Sequence, residues 1–179
     1  LYYPDPRIDL SSFGFARGSL VGGKNLMKRT LNQGLRTGLL FGIIFIFLML
    51  IGFVNIVTNI IGGILGNLDN LAGDAGQPVA NLLLLTALIA LFNGFTAQRK
   101  NPDAPWLHVL LTGLMAGLVS ALMVGLFIWV IGELHMNGTD FRSYLPNLGP
   151  DQIRYLLFYS TPLAAAQTYA LYFIIFSTV

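Results

Sequence analysis

Long runs of apolar residues, separated by short polar stretches, are the dominant pattern of this chain. The clearest run extends from Trp106 to Gly132 and holds neither a charged residue nor a proline. As a helix, a run of this length crosses a hydrocarbon layer of about 30 Å. Similar runs cover residues 37–60, 79–97 and 155–179. The pattern therefore predicts an all-α integral membrane bundle of four transmembrane helices.

The N-terminal stretch differs from the rest because it mixes proline, glycine and charge with apolar positions. Within it, Met27, Leu31 and Leu35 recur every fourth residue, and lysines fall on another helical face. A basic amphipathic helix of this kind lies on the membrane surface beside anionic headgroups. We therefore expect an interfacial strip at residues 1–36 and the bundle at residues 37–179, with a solvated linker as the alternative for the strip.

Small residues recur every four positions inside the third run, at Gly113, Gly117, Ala121 and Gly125. On a helix this spacing forms one stripe, along which another backbone can approach closely. Lipid offers little hydrophobic force to bring helices together, so such close packing supplies much of their association. We expect these four residues to be helix-packing positions inside the bundle.

Four other positions in the predicted spans need a packing or hydrogen-bonding partner. Asn55 and Asn59 lie one turn apart near the end of the first span, and an amide in a membrane helix usually faces the bundle interior. Pro162 is expected to kink the fourth span, and Gln167 lies near its middle. We predict that all four are candidate partner contacts, with a partner inside the bundle as the alternative.

Lysine and arginine residues are distributed unevenly between the predicted loops. Six of them precede the first span, and Arg99 and Lys100 lie between the second and third, whereas Arg142 and Arg154 lie on the opposite side. Cytoplasmic loops carry the excess of these residues. We therefore expect a multi-pass protein of the inner (plasma) membrane, with its N-terminus and residue 179 in the cytoplasm.

The two ends of the sequence are unusual for a complete membrane protein. The chain begins with Leu1 and is still apolar at Val179, whereas a spanning helix normally finishes with interfacial aromatic or basic anchors. We interpret the sequence as a segment of a longer protein.

Composition argues against several classes of chemistry. Only 10% of the residues are charged, against roughly 25% in soluble domains. The chain has no cysteine, no phosphate-binding glycine loop and no carboxylate inside a predicted span. We therefore predict no catalysis, no metal and no nucleic-acid partner. Bound lipid, quinone or pigment is compatible with these features.

The two histidines are the remaining candidates for cofactor ligands. His108 and His135 are 27 residues apart, about 40 Å along a helix, so they cannot share one metal or one haem. His108 alone is a candidate for a single axial ligand to haem or chlorophyll. The alternative, which we favour, is an interfacial histidine hydrogen-bonded to a headgroup or to water.

Several stretches resemble a known family of transport proteins. Leu110–Val119, Phe141–Ser143, Pro150–Phe158 and Leu48–Val54 are similar to the N-terminal membrane region of branched-chain amino-acid ABC-transporter permeases, in the long form found in green non-sulfur phototrophic bacteria. The resemblance covers about residues 35–179 and is carried mostly by apolar and glycine spacing. It implies an accessory bundle beside a translocation core, with a separate ATPase subunit as a partner.

Two functions of different classes follow from these features. The first is a non-catalytic accessory membrane region of an ABC-type permease for amino acids. The second is a structural subunit of a photosynthetic or respiratory membrane complex, packing against other integral membrane subunits, lipids, quinone or pigments. The glycine stripe and the aromatic-rich fourth run favour the second.

Overall fold

Five helices make up most of the described chain. The computed structural model describes the backbone of residues 15–53, 56–57, 60, 69–99, 105–138 and 145–179. Within these ranges the helices follow one another as α1 (Phe15–Leu50), α2 (Asp69–Arg99), α3 (Trp106–Met136), α4 (Pro150–Leu156) and α5 (Pro162–Thr178). None of these ranges contains a strand, so the all-α class predicted from the sequence is confirmed for them.

Three of the described helices, not the predicted four, are long and apolar enough to cross a membrane. The three segments are Met27–Leu50, Val79–Arg99 and Trp106–Met136. The fourth predicted span yields α5, which has only 17 residues. A helix of that length covers about 26 Å, less than a hydrocarbon layer of ~30 Å. The structure is therefore compatible with a multi-pass membrane protein that has three candidate spans.

The predicted span 155–179 is shortened by a break between α4 and α5. Phe158 and Tyr159 both have φ angles of 53°, in the left-handed region that side chains other than glycine adopt infrequently. Two such residues in succession turn the chain out of α4. The predicted span is therefore two helices in the structure.

Pro162 begins a helix and does not kink one, so the kink predicted from the sequence is wrong. The hydroxyl of Thr161 accepts a hydrogen bond of 3.3 Å from the backbone N–H of Ala164. Pro162 occupies the first turn of α5, where no intrahelical partner exists for its missing N–H. The same ring that would disrupt a helix interior is well suited to this position.

One continuous helix, α1, contains both the predicted amphipathic segment with Met27, Leu31 and Leu35 and the first part of the predicted span 37–60, and it already ends at Leu50. Gly52 has a φ of 73°, a conformation that glycine adopts readily and that commonly follows a helix C-terminus. The N–H of Gly52 donates to the carbonyl of Met49 at 3.1 Å, which closes the turn.

Part of the predicted surface helix packs inside the bundle. Thr30 is buried, and a Cβ added at Gly34 would lie 2.8 Å from the carbonyl oxygen of Thr112 on α3. The segment is therefore continuous with α1, and one of its faces packs against α3. The second candidate span begins at Val79, as predicted, although its helix α2 already starts at Asp69 and includes Pro78.

Contacts along the helices give their relative directions. Gly34 lies against Thr112 and Gly42 lies against Met123, so α1 and α3 run parallel. Gly132, near the end of α3, lies against the first residue of α5, so α5 is antiparallel to α3. We call the end that holds Trp106, Arg99 and Val179 the basic end, and the end that holds Leu50, Gly132 and Pro162 the distal end.

Aromatic side chains fill the distal half of the interior. Phe45 of α1 lies edge-on to Phe173 of α5, with ring centroids 5.3 Å apart. Tyr169 stacks on Phe158 at 4.9 Å, and Phe45, Tyr169 and Phe173 have no exposed surface. Ile153 of α4 joins the same core. The short helix α4 therefore covers the distal end of the bundle.

Candidate functional site

Three fully buried polar side chains meet at one point between the long helices. The Nδ2 group of Asn93 donates to the hydroxyl of Ser120 at 3.0 Å and to the hydroxyl of Ser177 at 3.1 Å. Ser120 in turn donates to the carbonyl of Gly38 at 2.8 Å, and Ser177 donates to the carbonyl of Ala90 at 3.0 Å. We call these five residues the polar node. It connects α1, α2, α3 and α5.

The directions of these hydrogen bonds are mutually consistent. Each serine hydroxyl has one proton, which goes to a backbone carbonyl, so each hydroxyl accepts from the amide of Asn93. Both protons of that amide are then used. Its Oδ1 is buried and has no partner among the described residues. Hydrogen bonds between membrane helices contribute about 0.6–2 kcal/mol each, and their geometry holds the four helices in one register.

Sequence reasoning missed the three polar residues of the node. Asn93 lies in the apolar run 79–97, and the rule that selected Asn55 and Asn59 applies equally to it. Ser120 and Ser177 carry a weaker signal, because serine in a helix commonly bonds to its own backbone. Asn55 and Asn59 themselves lie outside the described residues.

The small-residue stripe predicted on α3 lies against α5. A Cβ at Gly117 would lie 2.7 Å from the carbonyl oxygen of Phe173, and one at Gly113 would collide with the carbonyl oxygen of Ser177. At Gly125 the nearest atom, the carbonyl oxygen of Ala166, is 3.5 Å away. Contact is therefore closest toward the basic end and looser toward the middle of the helix. Ala121, the fourth residue of the stripe, is 4% exposed.

A second glycine stripe, which the sequence analysis did not select, lies on α1. Gly34, Gly38 and Gly42 are spaced by four residues and face α3. A Cβ at Gly38 would lie 2.8 Å from the Cβ of Val119. The spacing is the same as on α3, so the same rule finds it.

Gln167 and Pro162 occupy different environments. Gln167 is exposed on α5, on one stripe with Leu163, Leu171 and Ile175, each more than half exposed. Pro162 is buried, and a Cβ at Gly132 would lie 2.7 Å from its Cβ. Gln167 is therefore available to another molecule, whereas the side chain of Pro162 packs within the bundle.

His108 is half-buried near the start of α3. Its backbone carbonyl accepts a hydrogen bond of 2.7 Å from the hydroxyl of Thr112, and its Nδ1 is buried without a partner in the described part of the chain. The described residues contain no group of three side chains suited to a metal ion. His135 lies at the opposite end of the same helix, so the structure does not bring the two histidines together.

Charged and aromatic side chains separate the two ends. Among the side chains that the structure describes, Lys28, Arg29, Arg36 and Arg99 lie at the basic end and Arg154 lies at the distal end. At the distal end, Tyr155 and Tyr159 meet edge-on with ring centroids 5.6 Å apart. Desolvation and a hydrogen bond with Tyr155 raise the pKa of Tyr159 above its ordinary value. This arrangement resembles an interfacial aromatic belt.

No protein-family model, no curated protein and no solved structure matches this chain.

Proposed function

We propose that this chain is a non-catalytic membrane subunit that packs against another integral membrane protein through the outer face of α5. The observation that supports the proposal is the exposed side chain of Gln167 among Leu163, Leu171 and Ile175. The three apolar residues are suited to lipid, but the amide is not. An amide without hydrogen-bonding partners costs several kcal/mol in hydrocarbon, and a neighbouring helix with a polar side chain at that depth removes the cost.

The contacts of α5 support a position within the bilayer. Its first residue lies against Gly132, and Ser177 near its end lies against Gly113. These two glycines are 19 residues apart, about 29 Å along α3, which matches the hydrocarbon thickness of ~30 Å. Ala166 lies against Gly125, which is seven residues from Gly132 and twelve from Gly113, so Gln167 lies inside this depth, nearer to its distal boundary. In this proposal α5 runs through the membrane beside α3 despite its short length.

The filled interior supports a packing role for the chain. Phe45, Tyr169 and Phe173 have no exposed surface, and neither has Asn93 at the polar node. Side chains held this tightly form a rigid body that presents its outer surfaces to partners. In this proposal the exposed stripe on α5 is the surface that contacts the partner protein.

The specific form of this role that we propose is the accessory membrane region of an ABC-type amino-acid permease, in a bacterial inner membrane with the N-terminus and residue 179 in the cytoplasm. The sequence stretches that resemble such permeases support it, as do the cationic side chains gathered at the basic end. A translocation core and a separate ATPase subunit are the partners. A photosynthetic or respiratory complex is the alternative partner.

Copurification tests this proposal. The tagged chain is isolated from its native membrane in mild detergent as wild type, as Gln167→Leu and as Gln152→Leu, a control that removes an amide on α4 outside the predicted membrane depth. We expect the wild type and the control to retain an integral membrane partner that Gln167→Leu loses. An ATPase among the copurified subunits supports the permease, and pigment or cytochrome subunits support the alternative. Retention of all partners by Gln167→Leu contradicts the proposal.

A further inference from the structure

A groove of about 620 Å³ opens between α1 and α3 at the basic end of the bundle. Five of its lining residues come from α1 and one from α3, and they are Met27, Lys28, Leu31, Asn32, Leu35 and Met115. It is separate from the outer stripe of α5.

The groove has one apolar side and one polar side. Met27, Leu31 and Leu35 are spaced by four residues and form one strip along α1, because side chains four apart share a helical face. Lys28 and Asn32 form the adjacent strip. The groove therefore pairs a hydrocarbon-lined surface with a cation and an amide, which is the pairing that an amphiphile requires.

The position of the groove along the bundle agrees with the headgroup region. Gly34 lies against Met115 and Thr112, close to Gly113, where the proposed hydrocarbon depth ends. Lys28 precedes Gly34 by six residues, so it lies about 9 Å further out along α1. The polar headgroup layer begins where the hydrocarbon ends and is several Å thick. The amine of Lys28 is therefore at the level of lipid phosphates.

Charge complementarity determines which lipid this groove suits. Arg29 and Arg36 lie exposed on the same helix as Lys28. The two acidic side chains that the structure describes, Glu133 and Asp151, are both at the distal end. The groove consequently lies in a positive field without a described carboxylate nearby, and a lipid with net negative charge is attracted to it.

We propose that this groove is a binding site for one anionic phospholipid. An acyl chain lies along Leu31 and Leu35 with Met115 as the base of the groove, Met27 borders the headgroup, and the phosphate is held by Lys28 and Asn32. This site does not depend on the partner of α5, because the two surfaces share no residue.

Lipid titration of the purified full chain in detergent tests the proposal. Phosphatidylglycerol and phosphatidylcholine with identical acyl chains are added, and binding is followed by native mass spectrometry and by thermal unfolding. We expect tighter binding and greater stabilisation by phosphatidylglycerol. Lys28→Gln should weaken that binding about fivefold, the equivalent of ~1 kcal/mol for one lysine at an anionic surface, and Lys28→Arg should restore it.

Arg29→Gln is the matched control, because it removes the same charge from the adjacent residue, which does not line the groove. It should keep most of the preference for phosphatidylglycerol. Met115→Trp, which fills the groove, should weaken binding of both lipids, whereas Leu122→Trp on the exposed face of α3 should not. Equal binding of the two lipids by the wild type overturns the proposal. So does a Lys28→Gln variant that keeps the preference, or glycerol phosphate alone that stabilises as well as the whole lipid.

Discussion

Asn93 on α2 donates a hydrogen bond of 3.1 Å to the hydroxyl of Ser177 on α5, although 84 positions separate the two residues in the chain. The hydroxyl of Ser177 in turn donates a hydrogen bond to the carbonyl of Ala90, three residues before Asn93 on the same helix. α5 is therefore attached to α2 by a reciprocal pair of bonds inside an apolar bundle. The carbonyl oxygen of Ser177 also lies close to Gly94 and Gly113, so the same residue fixes α5 laterally.

Loss of the Ser177 hydroxyl should destabilise the bundle more than loss of the hydroxyl of the next residue, Thr178. Ser177→Ala leaves one N–H of the buried Asn93 amide unpaired, and we expect a cost of about 1–2 kcal/mol in the free energy of unfolding in detergent. Thr178→Val is the control, because the Thr178 hydroxyl donates to Ile174 within its own helix. In an Asn93→Leu background the cost of Ser177→Ala should shrink, and equal costs in both backgrounds would disprove the coupling.

The same substitution at two glycines of α3 should give opposite results. A Cβ at Gly117 would lie 2.7 Å from the Phe173 carbonyl oxygen, whereas at Gly125 the nearest atom is 3.5 Å away. We therefore expect Gly117→Ala to destabilise by about 1–3 kcal/mol through overpacking, and Gly125→Ala to be neutral or mildly stabilising because alanine favours helix. Thermal unfolding of the two variants side by side provides the comparison, and an indistinguishable pair contradicts the packing described here.

Because the chain has no cysteine, single introduced thiols can report its orientation. Trp106→Cys and Val179→Cys lie at the basic end, and Asn137→Cys lies beyond the distal end of α3. A membrane-impermeant maleimide applied to intact cells should label only Asn137→Cys, and the other two should react after the membrane is opened. Labelling of Val179→Cys from outside would show that α5 does not return to the cytoplasmic side.

The apolar runs predict the helical membrane class because a long uncharged run has few other stable structures in lipid. They do not predict where helices end. Gly52 ends α1 with a positive φ, but the sequence contains other glycines, such as Gly42, that stay helical. The positive φ angles of Phe158 and Tyr159 have no signal in the residue types, whereas Thr161 followed by Pro162 is a helix-start signal that points to the break.

Some of the candidate sites can likewise be predicted from the sequence, and others cannot. The stripe on α3 and the choice of Gln167 as a candidate contact depend on spacing and polarity, and both can be read from residue types. The polar node depends on four helices meeting at one depth, which a single sequence does not encode locally. Serine is also an ordinary helix residue, so Ser120 and Ser177 acquire their role only through their shared neighbour Asn93.

The outer stripe of α5 is best tested by site-specific photocrosslinking in native membranes. A benzophenone side chain is placed singly at Leu163, Leu171 or Ile175 on the stripe, and at Leu122, which is 71% exposed on α3, as the control. We predict a discrete protein adduct from the stripe positions, strongest at Leu163 and Leu171 on either side of Gln167, and none from Leu122. The adduct should disappear when Gln167→Leu is combined with the probe. Adducts of equal yield at all four positions, or an adduct that is unaffected by Gln167→Leu, would contradict the account.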